Sequence, residues 1–449
     1  MKKQIGMKKI IRACTVSMSI GFVSGMLPDL CKKYEVVLLS SPGPEMDDAE
    51  AKYGVRGIRI PMERHISPVK DFIALCKIIR VLWKEKPDMV HSMTPKAGLL
   101  CMIAAWLTRV PVRVHTFTGL VFPTAAGIKK RILMLTDAIT CWCATHVIPE
   151  GEGVKADLLN NGITKKPLKV LGYGNVRGID MQRFSCGNLS NGNEKTTDNS
   201  DKDKLKTKSS FEFLFVGRIV RDKGINELVE AFVRLNEELP ETRLVLVGFF
   251  EENLDPVSAE TKTLINTHPA IDAVGEKIGD DLIAHYAAAD CFVFPSYREG
   301  FPNTVLEAGA MGLPCIVTDI NGSREIITNV SHADNADSAD NIKTTDCTDL
   351  TDNKSLAEPT VADRREKQSA ENREKEVVNI PRNVSVKSNG LIIPSKDAKA
   401  LYEAMKLMVT GTEMRETMAA NARPMIESRY EQGFVRQCLY DFYEDILDS

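Results

Sequence analysis

Two glutamates, Glu299 and Glu307, bracket seven residues in the stretch REGFPNTVLEAGAMGLP, residues 298–314. Pro302 suits the first position of a helix, because it has no N–H to leave unsatisfied. Gly312 and Pro314 suit the far end, as a terminating glycine with a proline just beyond. The spacing therefore predicts a helix from about Pro302 to Met311. Its first turn would offer the N–H groups of Asn303, Thr304 and Val305, with Gly300 just before. Such donors, with the helix dipole behind them, attract an anion such as phosphate. Glu307 would lie one turn further in, within reach of a diol beside that phosphate, and Glu299 on its other side. An anion flanked by two hydroxyl-binding acids outlines a sugar nucleotide, with Glu307 on the ribose and Glu299 on the transferred sugar. Taken alone, the spacing also fits a surface helix glutamate and a solvated loop acid. A second cluster favours the chemistry. The apolar run FEFLFVG ends in Gly217–Arg218, and Lys223–Gly224 opens the next helical segment. Arginine can clamp a phosphate bidentately and lysine adds a point charge.

These groups need a scaffold that brings strand ends to one cleft. Short apolar runs alternate with helical patterns throughout: YEVVLLSS, DMVHS and VRVHTF read as strands, and FIALCKIIRVLWKE as a helix between two of them. The alternation restarts with FEFLFVGR, TRLVLVG, DCFVFPS and CIVTD, and GINELVEAFVRLNEE places Leu228, Ala231, Phe232 and Leu235 on one helical face. The expected fold is α/β, with two doubly wound parallel sheets covered by helices on both faces. Ligands of such sheets sit outside the carboxyl ends of the strands, so two facing domains enclose a cleft. At 449 residues the chain is long enough for two domains. The predicted boundaries are 1–186 for an N-terminal domain, 187–210 for a flexible linker and 211–449 for a C-terminal domain. The linker GNLSNGNEKTTDNSDKDKLKTKSS holds two leucines, Leu189 and Leu205, and no other large apolar residue, too little to offset its ordering entropy. A polar insert at 331–385 reads as a disordered excursion, and the C-terminal helices could pack back on the N-terminal domain.

Charge is unevenly spread. Residues 1–186 carry 28 Lys+Arg and 15 Asp+Glu, a balance of +13, which leaves 30 and 46, a balance of −16, for the rest of the net −3. The split fits either a polyanionic partner for the basic half or solvated surface exaggerated by an acidic insert. Lys129, Lys130 and Arg131 stand together before the apolar ILML, an order that suits a membrane surface. No apolar run reaches the roughly 18 residues of a membrane span; the best, Leu99 to Leu107, stops at Thr108 and Arg109. The opening MKKQIGMKKIIRACTVSMSIG has the lysine-then-apolar order of a signal peptide, but it continues the strand pattern and is read as a buried first strand. Eleven scattered cysteines, with Cys141 and Cys143 too close for a two-spacer pair, point to reduced thiols and a cytoplasmic location.

The order GR…KG, VGFFEENLDP, AAADCFVFPSYREGFPNTVLEAGAMGLPCIVTD and NGLIIP resembles family 4 of the retaining GT-B glycosyltransferases. ISPVKD, KPDMVHSMTPKAGLL and VPVRVHTFTGL, in that order, resemble a subgroup that builds bacterial surface polysaccharides such as capsule. The likeness covers most of the chain outside the two inserts. It implies that Arg218 and Lys223 hold the donor diphosphate, that Glu299 contacts the donor sugar and that Glu307 contacts the ribose. Gly217 and the backbone of Gly300, Phe301, Asn303 and Thr304 would complete the donor site. The implied reaction is metal-independent front-face transfer with retention, in which the leaving phosphate accepts the acceptor's proton. The expected donor is a nucleotide-diphosphate sugar, with UDP as its nucleotide and no cofactor. The expected partner is a lipid-linked saccharide at the inner face of the cytoplasmic membrane, where the enzyme would attach peripherally; no nucleic acid is implied. Other classes with this architecture are a sugar-nucleotide epimerase, which lacks the Glu-seven-Glu signature, and a non-catalytic sugar-nucleotide-binding protein.

Acceptor-side candidates are less sharply marked. Many family members carry a histidine just before the glycine in TFTG; here that position is Thr118, and His115 lies three residues earlier. His91, at the end of DMVHS, is expected at a carboxyl end facing the cleft, and Lys96 in the turn TPKAG is placed to meet an anionic acceptor group. Glu150 in VIPEG follows another strand. Asp47–Asp48 and Asp280–Asp281 read as solvated acids, and the Asp201/Asp203 pair lies in the linker, so no metal site is expected.

Overall fold

The computed structural model describes residues 7–63, 65–185, 210–252, 255–329 and 380–448. The predicted linker except Ser210, the predicted insert except its last six residues, and Asp201 and Asp203 lie outside the described residues.

The N-terminal half builds one sheet from β1 (Lys9–Ala13), β2 (Glu35–Ser40), β3 (Arg56–Arg59), β4 (Met89–Met93), β5 (Val112–Phe117) and β6 (His146–Pro149). Their order is β3-β2-β1-β4-β5-β6, and every neighbouring pair is parallel. The C-terminal half builds a second sheet from β7 (Phe211–Val216), β8 (Thr242–Val247), β9 (Ile271–Gly275), β10 (Cys291–Phe294), β11 (Cys315–Thr318), β12 (Ser385–Lys387) and β13 (Gly390–Ile393). Its order is β12-β13-β11-β10-β7-β8-β9, parallel except for the β12–β13 pair. Strand order reverses between β1 and β4 in one sheet and between β7 and β10 in the other. Such reversals open the crevices in which α/β sheets bind ligands.

The helices follow the apolar periodicity. Leu228, Ala231, Phe232 and Leu235 of the helix Ile225–Glu238 are buried, as the spacing predicts. The first strand reads correctly: Ile10 and Ile11 are fully buried. The C-terminal helix Gln432–Asp448 crosses to the N-terminal sheet, where Leu439, Phe442 and Tyr443 pack with Ile10, Leu38, Met89 and Val114. The end of the predicted insert is ordered earlier than expected. Val384 is buried in the C-terminal core, and Ser385 opens β12, paired with Ile392 of β13.

Candidate donor cleft and acceptor groove

The helix predicted after β10 runs from Asn303 to Ala310, with Pro302 capping it in an extended conformation rather than filling its first turn. Gly312 follows at φ +80°, a left-handed conformation that favours glycine at a helix end. The first N–H groups, of Asn303 and Thr304, have no acceptor within the helix and open toward a cleft of about 330 Å³. The two halves touch at its floor. A Cβ placed on Gly300 would lie 2.5 Å from the Thr118 carbonyl, so only glycine permits this approach.

Gly217, Arg218, Lys223, Glu299, Gly300, Phe301, Asn303 and Thr304 all line this cleft, together with Thr118, which directly follows β5. The Lys223 ammonium forms an ion pair with Glu299 Oε1 and lies 5.2 Å from the centre of the Phe294 ring. Glu299 Oε1 also accepts the Ser296 hydroxyl at 2.6 Å. Arg218 pairs with Glu251. Asn303 spends its side-chain oxygen on the Asn175 amide, at 3.0 Å. The Phe301 ring packs in the core against Tyr430, with ring centres 5.3 Å apart. Its contribution to the cleft is therefore largely backbone.

Glu307 differs from its expected place. It is buried and does not line the cleft beside Glu299. Tyr286 donates its hydroxyl to Oε2 at 3.0 Å. Burial raises this carboxyl above its ordinary range, while the Arg177 guanidinium pulls the other way. The helix phase explains the shift: four residues beyond Asn303, the side chain turns toward the connector that carries Asn175 and Arg177.

Both histidines require correction. His91 does not face the cleft. It is buried, with Nδ1 bonded to Tyr443 Oη at 2.5 Å and Arg12 at 3.1 Å, and Nε2 to Thr116 Oγ1 at 2.7 Å. Burial and Arg12 hold its pKa well below the usual value. His115 packs under Gly98, bonds Ser92 Oγ at 2.9 Å and meets the Phe117 ring edge-on; burial lowers its pKa to about 3. Neither can meet an acceptor. The reason is register: His91 lies two residues before the end of β4 and His115 two before the end of β5, inside a sheet covered on both faces.

The residue that sequence reasoning ranked too low is Glu150. It immediately follows β6, lines the cleft and is only 3 % exposed. The usable signal was its position directly after a strand, the rule that also selects Thr118 and Gly217.

A second concavity, of about 590 Å³, opens in the N-terminal half between the helices Pro68–Glu85, Pro95–Leu107 and Gly127–Cys143. Ile66, Leu99, Ile132 and Leu133 make its lining apolar, and Lys96 and Lys129 sit among them. Lys96 pairs with Asp71 at 2.7 Å and donates to the His65 carbonyl. The bordering helices leave large apolar side chains in solvent: Val69 is 75 % exposed, Phe72 66 % and Ile128 77 %. Among the described residues, no helix is long and apolar enough to cross a membrane and no His/Cys/Asp/Glu group could hold a metal ion.

Two family models match the chain: a glycosyl transferase 4-like domain over residues 30–174 and glycosyl transferases group 1 over residues 196–342. The chain is 28 % identical to the capsular polysaccharide biosynthesis glycosyltransferase CapM of Staphylococcus aureus, over 98 % of both chains. It is 31 % identical over 279 residues to the UDP-Gal:alpha-D-GlcNAc-diphosphoundecaprenol alpha-1,3-galactosyltransferase of Escherichia coli, spanning 61 % of this chain and 69 % of that one. Among solved structures, Anabaena Alr3699/HepE in complex with UDP superposes with a TM-score of 0.65 at 15 % identity, covering 97 % of this chain and all of the other. The ordered motifs, the paired sheets and these relatives agree: the chain belongs to family 4 of the GT-B glycosyltransferases.

Proposed function

We propose that this glycosyltransferase moves a sugar, with retention, from a nucleotide-diphosphate sugar to a lipid-linked saccharide during assembly of a bacterial surface polysaccharide. The observation that carries the reading is the convergence of Arg218, Lys223 and the free N–H groups of Asn303 and Thr304 on one cleft between the two sheets. Those are the groups a departing diphosphate requires. Negative charge grows on it in the transition state, and preorganised cations and amides stabilise that state more than the ground state. Lys223 is held by Glu299. A bound diphosphate would draw Lys223 away and leave the Glu299 carboxylate free to accept from a hydroxyl of the donor sugar. No metal takes part in this scheme, and UDP is the proposed nucleotide, because the Escherichia coli relative is a UDP-Gal-dependent galactosyltransferase and the Anabaena structure is a complex with UDP.

The acceptor reading is supported by the N-terminal groove, whose apolar lining suits an isoprenoid chain and whose Lys96 and Lys129 suit its phosphates. The exposed Val69, Phe72 and Ile128, beside Lys129, Lys130 and Arg131, form the apolar-and-basic combination that holds a protein on an anionic bilayer. The capsule and diphosphoundecaprenol relatives favour the same assignment.

The test is incubation with a panel of labelled UDP- and GDP-sugars and a bacterial membrane extract. Label entering the lipid fraction is expected. Interconversion of free sugar nucleotides without acceptor would establish an epimerase instead, and binding without turnover a non-catalytic binder.

A further inference from the structure

We propose that Glu150 is a hydrogen-bond-donating carboxylic acid of the donor cleft, meeting an oxygen of the bound nucleotide sugar from the N-terminal side while Glu299 meets it from the other. This rests on the cleft being the sugar-nucleotide site. The backbone of Glu150 is pinned on both sides: its N–H donates to the Phe117 carbonyl at 3.1 Å, and its carbonyl accepts from Asn175 N–H at 2.8 Å. The side chain is 3 % exposed and lines the cleft with Thr118, Lys223 and Glu299. Among the described residues, no hydrogen bond or ion pair reaches its carboxyl. A carboxyl this enclosed, with no protein partner, is left to be met by water or by a ligand in the cleft.

The surrounding charges decide its protonation. Glu299 faces it from the loop after β10, and Glu325 from the helix Ser323–Ile326. The cations of the cleft are engaged elsewhere, Lys223 by Glu299 and Arg218 by Glu251. Arg12 and His91, which share a small cavity with Glu150 on its other side, are engaged with each other and with Tyr443. Burial, then the two carboxylates, push the Glu150 carboxyl well above its ordinary range. The shift favours the protonated form, which has an O–H to give. A bound diphosphate adds negative charge nearby and strengthens that preference.

The experiment compares wild type, Glu150→Gln and Glu150→Ala by donor kinetics across pH. Gln keeps the shape and a donor, so at neutral pH its donor KM should fall well below that of the Ala variant, which should raise KM about tenfold over wild type, the worth of one buried hydrogen bond. Wild type should lose donor affinity as pH rises and Glu150 ionises; Glu150→Gln should lack that alkaline limb. A Gln variant as impaired as Ala at neutral pH would overturn the proposal by showing that the ionised carboxylate is needed, and an unchanged KM in Ala would remove the contact. Thermal midpoints give a reading independent of turnover. The folded-state pKa is raised, so the stabilisation is full below the unfolded-state pKa and lost as pH climbs toward the folded one. The advantage of Glu150→Gln over wild type should therefore widen from acidic to alkaline pH, and a constant gap would overturn the neutral acid. A widening gap in a chain that turns over no nucleotide sugar would overturn the sugar reading alone.

Discussion

The carboxylate of Glu325, in the C-terminal half, accepts the backbone N–H of Glu152 at 2.7 Å, across the boundary between the two sheets. Its other oxygen accepts from Gly153 N–H at 3.0 Å. Glu325 thus caps the helix Glu152–Asn160 from outside, and Asn321 adds a bond to Asp157 of the same helix at 2.7 Å. An acid at a helix N-terminus is favoured by the unsatisfied N–H groups and the dipole. Removing it with Glu325→Ala should cost about 1 kcal/mol locally, as cap losses do. Hydrogen exchange at the Glu152 and Gly153 amides should then accelerate more than elsewhere in the helix. Unchanged exchange at those two amides would show that the halves are held by other contacts.

Lys223→Ala and Arg218→Ala should each lower kcat/KM by about 10²-fold or more, the usual loss when one transition-state charge partner is removed. Thermal stability should change little, because Arg218 is half-exposed and such ion pairs contribute only about 0–1 kcal/mol. Lys223 is more enclosed and carries the larger expected stability change. Normal turnover in both variants would remove the diphosphate from this position.

Asp137 lies buried on the helix Gly127–Cys143, and burial pushes its carboxyl up to about 7. The folded-state pKa is raised, so stability is full below about pH 4 and falls as pH rises toward 7. The loss is at most roughly 4 kcal/mol for a shift of this size. Asp137→Asn should therefore match wild type in acid and exceed it at pH 8 in thermal unfolding. A variant equally destabilised at both pH values would show that Asp137 is held by a hydrogen bond as a charged group.

Deleting 331–379 and closing the gap with a short Gly/Ser linker should leave a folded, active enzyme, since that composition cannot supply a core. Extending the deletion through Ser385 removes Val384 from the core and the first residue of β12. That should cost roughly 2 kcal/mol for the lost burial, read as a lower thermal midpoint. Equal midpoints for the two deletions would place Val384 outside the cooperative core.

Co-sedimentation with anionic vesicles should be strong at low salt and weak at high salt, because the Debye length is about 8 Å at physiological ionic strength and shrinks from there. The triple variant Lys129/Lys130/Arg131→Ala should bind more weakly, by about 1 kcal/mol per cation. Phe72→Glu tests the apolar part and should weaken binding at every salt concentration. Equal binding to neutral and anionic vesicles by wild type and triple variant would exclude the electrostatic attachment.

Most of the scaffold was legible because buried parallel strands are nearly continuous apolar runs; β2, β5, β7, β8, β10 and β11 each fall inside a run read from the sequence, and β4 overruns DMVHS by one residue. The glycine and proline around Glu299 marked the helix start to within one residue. What failed was the aim of individual side chains. His91 and His115 stand two residues short of the strand ends, and in a sheet covered on both faces that distance separates cleft from core. Glu150 stands one residue past its strand end, and the same count puts it in the cleft. Glu307 was misplaced because the sequence gives its height on the helix but not which neighbour, here Tyr286, crosses behind it. The exposed Phe72 and Val69 sit on the helix Pro68–Glu85, which reads in the sequence only as a helix from Phe72 onward, without its buried face separated from its outer one.

The return of the helix Gln432–Asp448 to the N-terminal sheet means that the polypeptide passes between the halves twice, not once. Tyr443 completes the surroundings of Arg12 and His91 from the far end of the sequence. A chimera that grafts one enzyme's donor half onto another's acceptor half therefore needs two junctions. A single cut in the linker would pair a foreign C-terminal helix with the native first sheet and leave Arg12 and His91 without their matched tyrosine.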